Sequence, residues 1–585
     1  MPRRDYNEED DAVALRELPS ELERHDDDDD NGHQNRRHAS SSENGHERDS
    51  HVEADTQARQ RRESRKRALV LVGSAISQLP IWGEASHRIS SHAIPSHAVS
   101  SHTASPYHIL YHPSPTSQYS LTHSLTLPTQ TNTKTPAGFA MNYGIFQEYY
   151  ASALGTAALP LAGSPSATGI IGTTSNGVLY LSMPPLFLLL TARPSRHHRL
   201  SLARRRRLAA LLGILLSCAA FLLASAARHV WHLVAAQGVL AALGAALLYS
   251  PLTLSLGECF SGGHNRNRAV AYGLTLSCKN VVGSACPFLL RALLDRCGFR
   301  ATMWIWTAVT AVTSILAVAL VPPTHPSRLE TDAAAREDDH DHDHNHHSPR
   351  RRRPPMHFLR HATFYIYAIA IALQSSGYGI PQTYLNTYAH DVAHLSQTTA
   401  TLLLTVFNGP GIIASLFFGY LTDNKRFPLS ATSTTAIAGV SSALSALLFW
   451  GLAPPQSGSM ALLVVFSATF GFFAGGYSAT WGGVINELEG EAARRNEAID
   501  TGLVYGLLNG ARGVGYVSGG LVGVPLLKAG SGALSAASTF GYGTSYGPLI
   551  IFTGISSLFG GWGLLWKGVG KLSRHRMAPS TTVSH

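Results

Sequence analysis

Tyr143-Gly144-Ile145-Phe146-Gln147-Glu148-Tyr149 and Tyr378-Gly379-Ile380-Pro381-Gln382-Thr383-Tyr384 share the pattern Tyr-Gly-Ile-x-Gln-x-Tyr, the second following the first by about 230 residues. Three further pairs keep the same order at nearly the same offset. Asn176-Gly177 returns as Asn408-Gly409, Tyr249-Ser250 with Glu258 returns as Tyr477-Ser478 with Glu487, and Tyr272-Gly273-Leu274 with Lys279 returns as Tyr505-Gly506-Leu507 with Arg512. Four pairs in one order at one offset read as an internal duplication. Both copies lie in strongly apolar sequence, and a duplicated set of membrane helices is the organisation of secondary transporters.

The global composition points elsewhere. Charged residues are 14% and hydrophobic residues 45% of 585, which suits a soluble protein. That average mixes opposites. Residues 1–67, 84–137 and 323–357 are polar and biased, and the rest is apolar enough to cross a bilayer many times. The net charge of +9 does not indicate nucleic acid, because Lys and Arg cluster beside apolar stretches, where membrane topology accounts for them. Cys218, Cys259, Cys278, Cys286 and Cys297 lie in or beside apolar segments without metal or disulfide spacing and read as packing residues. No signal peptide is recognised, so the first apolar run directs insertion.

Residues 1–67 read as a disordered cytosolic tail. Ala68–Gly83 and Phe139–Tyr150 are each too short to span the hydrocarbon, and between them lies the Ser/His/Thr/Pro-rich stretch Glu84–Ala137. Joined, the flanks make one span. Trp82-Gly83-Glu84 can encode a splice donor and Ala137-Gly138 an acceptor. The stretch 84–137 therefore reads as a translated intron, or else as a low-complexity insert outside the bundle. Counted this way, twelve spans follow at about 68–83 plus 138–150, 167–191, 205–226, 230–256, 268–290, 301–322, 361–386, 396–422, 430–452, 460–486, 499–526 and 546–566. The fold class is all-α membrane protein: a six-helix bundle over 68–322, a linker at 323–357, a second bundle over 358–570 and a cytosolic tail at 571–585. Arg61–Arg67, Arg193–Arg207, Arg266/Arg268, Arg350–Arg360, Lys425/Arg426, Arg494/Arg495 and Lys567–Arg576 fall on one side, so both termini are expected in the cytosol. The choice between plasma and vacuolar membrane stays open. The linker's Asp338–His347 run can bind zinc or nickel weakly, or is a solvated tether. No cofactor and no resident metal are implied.

Charges inside membrane helices are costly and are usually kept for function. Lys279 lies roughly 16 Å in from the cytosolic edge by helix rise, and Arg512 roughly 18 Å. Two cations near the midplane favour an anion, most simply a carboxylate. The alternative is pairing with backbone carbonyls or a helix dipole. Tyr143, Gln147, Tyr378 and Gln382 supply hydrogen bonds to a wet cavity or pack between helices, and Asn176 and Asn408 carry the same two readings. Glu148 can accept a proton, but it sits near the outer end, where an ordinary solvated glutamate is the simpler reading.

Gly419-Tyr420-Leu421-Thr422-Asp423-Asn424-Lys425-Arg426 resembles the Gly-x-Leu-x-Asp-x-x-x-Arg loop signature of the major facilitator superfamily. The resemblance implies a cytosolic gate, with Asp423, Lys425, Arg426, Glu487 and Glu258 as its charges and Glu487 placed to pair with Lys425 or Arg426. Within that superfamily, Asn267–Leu274, Gly283, Pro287 and Gly298-Phe299-Arg300 resemble the monocarboxylate-porter-like carriers of fungi, as does Gly510-Ala511-Arg512-Gly513. The likeness covers about 68–83 and 138–570. Proton-coupled animal members have a lysine in helix 1 and an Asp/Arg pair in helix 8, and this chain has neither. Its expected partners are therefore a small organic anion, protons as an optional coupling ion, and membrane lipid, with no nucleic acid. The rival readings are a non-transporting nutrient sensor on the same fold and a carrier of a larger neutral or vitamin-like solute. A membrane enzyme is a distant third, because the helices hold no nucleophile, metal or acid/base constellation.

Overall fold

The computed structural model describes residues 56–82, 169–192, 201–260, 267–322, 356–423, 429–455, 458–532 and 540–568. The chain divides into two units, Met1–Arg65 and Lys66–His585. In the first, 56–65 is helical. The second is all-helical over its described residues, apart from one isolated antiparallel bridge between Met356 and Ile499.

The helices of the second unit are labelled α1 to α12 in chain order. α1 covers 66–82 with a turn at Ser77. α2 covers Gly169–Leu181 and Met183–Thr191. It breaks at Ser182 because Pro184 and Pro185 carry no N–H to continue the hydrogen-bond ladder. α3 is Leu202–Ser225 and α4 is Val230–Cys259. Arg268–Leu320 is divided by Gly298 into α5 (268–297) and α6 (299–320). Gly298 has φ 75°, a conformation that side-chain-bearing residues rarely adopt. α7 is Ala362–Asp391, α8 Gln397–Asp423, α9 Ala431–Trp450, α10 Met460–Arg494, α11 Thr501–Gly532 and α12 Gly547–Gly568.

Among the described residues, seven helices are long and apolar enough to cross a membrane: α3, α4, α6, α8, α9, α10 and α12. α7 and α11, at 30 and 32 residues, are long enough but more polar. Their polar residues face inward: Gln374, Ser375, Gln382, Asn386, Asn509 and Arg512 are all buried. α3 does the opposite, exposing Leu208, Leu211, Leu212, Leu215, Leu222 and Leu223 on its outer face. An apolar outside and a polar inside is the pattern expected when lipid is the solvent.

Ion pairs show how the helices alternate. Arg206 at the start of α3 holds Glu258 at the end of α4 at 2.6 Å. Arg268 at the start of α5 holds Glu489 near the end of α10 at 3.1 Å. Lys567 at the end of α12 meets Glu487. The starts of α3, α5 and α7 and the ends of α2, α4, α8, α10 and α12 thus gather at one pole, here called the basic pole.

Candidate functional site

Arg512 comes from the middle of α11 and Lys279 from the middle of α5, and each is only 4% exposed. They lie near enough for their charges to repel. Four aromatic faces surround the Arg512 guanidinium: Tyr180 of α2 at 5.2 Å, Tyr516 of α11 at 5.4 Å, Tyr378 of α7 at 5.5 Å and Trp481 of α10 at 5.6 Å. Nη1 donates to Ser478 Oγ, Nη2 donates to Tyr516 Oη at 3.4 Å, and buried Nε has no partner. Among the described residues no carboxylate forms an ion pair with Arg512.

The energetics of this arrangement are unusual. Burying an ion costs several kcal/mol after relaxation, and a carboxylate is the ordinary remedy. Each desolvated cation–π contact returns about 2 kcal/mol or more. Four rings can therefore offset the burial without neutralising the charge. The cage keeps a cation dry and still attractive to an anion.

Below the cage, toward the basic pole, a second aromatic layer closes the interior. Tyr505 precedes Arg512 by about two helical turns, roughly 10 Å. Its ring stacks on Tyr272 at 4.6 Å, and its hydroxyl lies 3.1 Å from that of Tyr249. Further down, the start of α5 meets the ends of α8 and α10. Asp423 Oδ2 at the end of α8 accepts from the Val270 backbone N–H at the start of α5 at 2.9 Å, and its Oδ1 accepts from Asn486 at 3.4 Å. A carboxylate against a helix N-terminus is favourable. Gly419 allows the approach, since a Cβ there would sit 2.7 Å from the Ala269 carbonyl. The Arg268–Glu489 pair adds a contact between α5 and α10.

Away from the basic pole, a cleft of 310 Å³ opens between α2, α7 and α11. Asn176, Gln382 and Tyr516 line it, and Tyr516 Oη donates to Gln382 Oε1 at 3.4 Å. Tyr516 therefore stands between the cleft and Arg512.

The structure thus brings Lys279, Arg512, Tyr378 and Gln382 into one central region and sets Asn176 in the adjoining cleft. Asn408 differs from its repeat partner Asn176. Its Nδ2 donates to Gly283 O of α5 at 3.2 Å and to Leu404 O at 3.0 Å, the geometry of an interhelical tie. Tyr143, Gln147, Glu148, Lys425 and Arg426 lie outside the described residues. Glu487 accepts from Tyr367 Oη of α7 at 2.7 Å and pairs with Lys567 of α12, while its expected partners Lys425 and Arg426 lie outside the described residues. Glu258 of α4 pairs with Arg206 of α3. Sequence reasoning missed Tyr180, Trp481, Tyr516, Arg268 and Glu489. Tyr516 had a signal, being four residues past Arg512 on one helix face. Glu489 sits among neighbouring glutamates on α10, and only the packing selects it.

Comparison with known proteins agrees with this architecture. Residues 136–520 match the Major Facilitator Superfamily pattern. Monocarboxylate transporter 12 of Mus musculus is 27% identical over 286 residues, covering 46% of this chain and 56% of the mouse protein. An MFS-type transporter of Gibberella moniliformis is 24% identical over 364 residues, covering 61% of this chain and 77% of the relative. Monocarboxylate transporter 13 of Rattus norvegicus is 28% identical over 324 residues, covering 54% and 64%. The matches to the monocarboxylate transporter 12 proteins of mouse and human span little more than half of those relatives' length. With the pattern matched over most of its length, a multi-helix architecture and these relatives, the chain belongs to the Major Facilitator Superfamily of membrane transporters, and within it is monocarboxylate-transporter-like.

Proposed function

We propose that the protein is a secondary carrier of a small organic anion, built of twelve membrane helices in two six-helix halves and working by alternating access. Both termini face the cytosol in this reading, which makes the basic pole the cytosolic one and the interactions gathered there a closed inner gate. The anion's carboxylate is held by Arg512 and Lys279, with Tyr378 and Gln382 beside it. The protein moves its substrate without covalent change.

The observation that carries the proposal is the Arg512 cage: a buried guanidinium with four aromatic faces, an unpartnered Nε and no described carboxylate in reach. Replacing a buried ion by apolar packing is often neutral or stabilising, so packing alone gives little reason to keep such a charge. The relatives named as monocarboxylate transporters support the same substrate class. The direct test is uptake of labelled monocarboxylates into liposomes holding the purified protein. Binding without flux would favour the sensor reading. Saturable flux of neutral solutes, with none of carboxylates, would replace the anion.

A further inference from the structure

The cleft beside Arg512 has a shape and a chemistry of its own. Along α11 it runs from Tyr516 to Val524, about 12 Å by helix rise. Its walls over that length are largely aliphatic: Val178 and Leu181 of α2, Ile380 of α7, Val517 and Leu521 of α11. Its deep end is polar, where Gln382 meets the Tyr516 hydroxyl, which in turn accepts from Arg512. Leu521, on the α11 wall, is 68% exposed. Its 310 Å³ is the volume of about ten waters. A two- or three-carbon acid would leave most of that volume as water against aliphatic walls.

We infer that the substrate is an amphipathic monocarboxylate of medium size, its apolar body lying along the α2–α7–α11 cleft and its carboxylate reaching past Tyr516 to Arg512. The inference rests on the anion reading above and narrows it. Tyr516 is then a specificity-determining residue. Its phenol borders the carboxylate's path from the polar end of the cleft to the caged guanidinium, while the aliphatic walls select chain length. Each methylene buried in such a cleft tightens binding about fourfold.

The test is equilibrium binding of labelled butyrate and labelled octanoate to the purified protein in lipid nanodiscs. Specific signal is defined as that abolished in Arg512→Gln. Octanoate should bind at least about tenfold tighter than butyrate, allowing for incomplete burial of its four extra methylenes. Leu521→Trp, at an exposed wall position, should weaken octanoate about tenfold and change butyrate less than about twofold. Equal affinities for the two acids, or equal losses in Leu521→Trp, would overturn the inference. Arg512-dependent butyrate binding with no gain for octanoate would remove the inference and leave the anion reading standing. No Arg512-dependent binding of either acid would remove both.

Discussion

Asp423→Asn should loosen the basic pole. The carboxylate accepts from the Val270 N–H at 2.9 Å, at the first turn of α5. Asparagine keeps an acceptor there but loses the charge. A hydrogen bond to a charged group contributes about 1.5–3 kcal/mol and a neutral one about 0.5–1.5, so the substitution costs about 1 kcal/mol. The interaction with the helix N-terminus removes about another 0.3–1 kcal/mol, more where the site is partly buried. Burial of the carboxylate opposes these contributions, so a net of about 1 kcal/mol, felt only when this pole is closed, shifts the closed-to-open balance by about fivefold. The reporter is a cysteine placed at Leu254 in a protein without its native cysteines. Leu254 is 3% exposed, beside Gly502 of α11, and becomes reachable only when the pole opens. An impermeant maleimide applied from that side should label it about fivefold faster in Asp423→Asn. An unchanged labelling rate, in protein that still binds substrate, would show that Asp423 is not part of a gate.

Glu487→Gln should change the same labelling less than about twofold, because its partners Tyr367 and Lys567 belong to its own half and such pairs contribute little across the gate. Gly298→Ala should destabilise the purified protein by about 1–3 kcal/mol, read as a lowered thermal midpoint, since φ 75° with ψ 170° is a backbone conformation nearly confined to glycine while the space around Gly298 is open. The hydrogen bond from His361 holds the Glu497 carboxyl below its ordinary value of 4.5. A depressed acid contributes its stabilisation fully above that ordinary value and loses it as pH falls through the lowered one. Hydrogen exchange in the 494–500 loop should therefore speed up on acidification, beyond its intrinsic pH dependence, in the wild type and not in Glu497→Gln.

Much of the architecture was legible in the residues, and the limits have physical causes. The repeat of Tyr272…Lys279 as Tyr505…Arg512 located two buried cations, because charge inside an apolar run is rare in any sequence. The Gly419–Arg426 stretch marked the end of α8 and Asp423 with it. The partners were harder. Tyr180, Trp481 and Tyr516 reach Arg512 from three helices, and no local periodicity links them. Glu487 and Glu489 are two residues apart on a helix, hence on different faces, and which one meets α5 depends on how α10 is rotated. The repeat also implied equal roles for Asn176 and Asn408, yet one lines the cleft and the other ties α8 to α5. Duplication preserves position better than function.

In the proposed carrier, Arg512 is held uncompensated to take a substrate's carboxylate. The most direct test is uptake of a labelled monocarboxylate by proteoliposomes of wild type, Arg512→Gln and Arg512→Lys, with thermal stability measured on the same preparations. Losing two charge-assisted hydrogen bonds of about 1.5–3 kcal/mol each should lower kcat/KM at least about 100-fold in Arg512→Gln. Arg512→Lys should recover only part, since an ammonium lacks the two-pronged geometry. Thermal stability should stay near that of the wild type, because removing the guanidinium takes away both its attraction to the four rings and the cost of burying its charge. Normal uptake by a well-folded Arg512→Gln protein, or a loss of stability matching the loss of uptake, would make the charge structural and contradict the account.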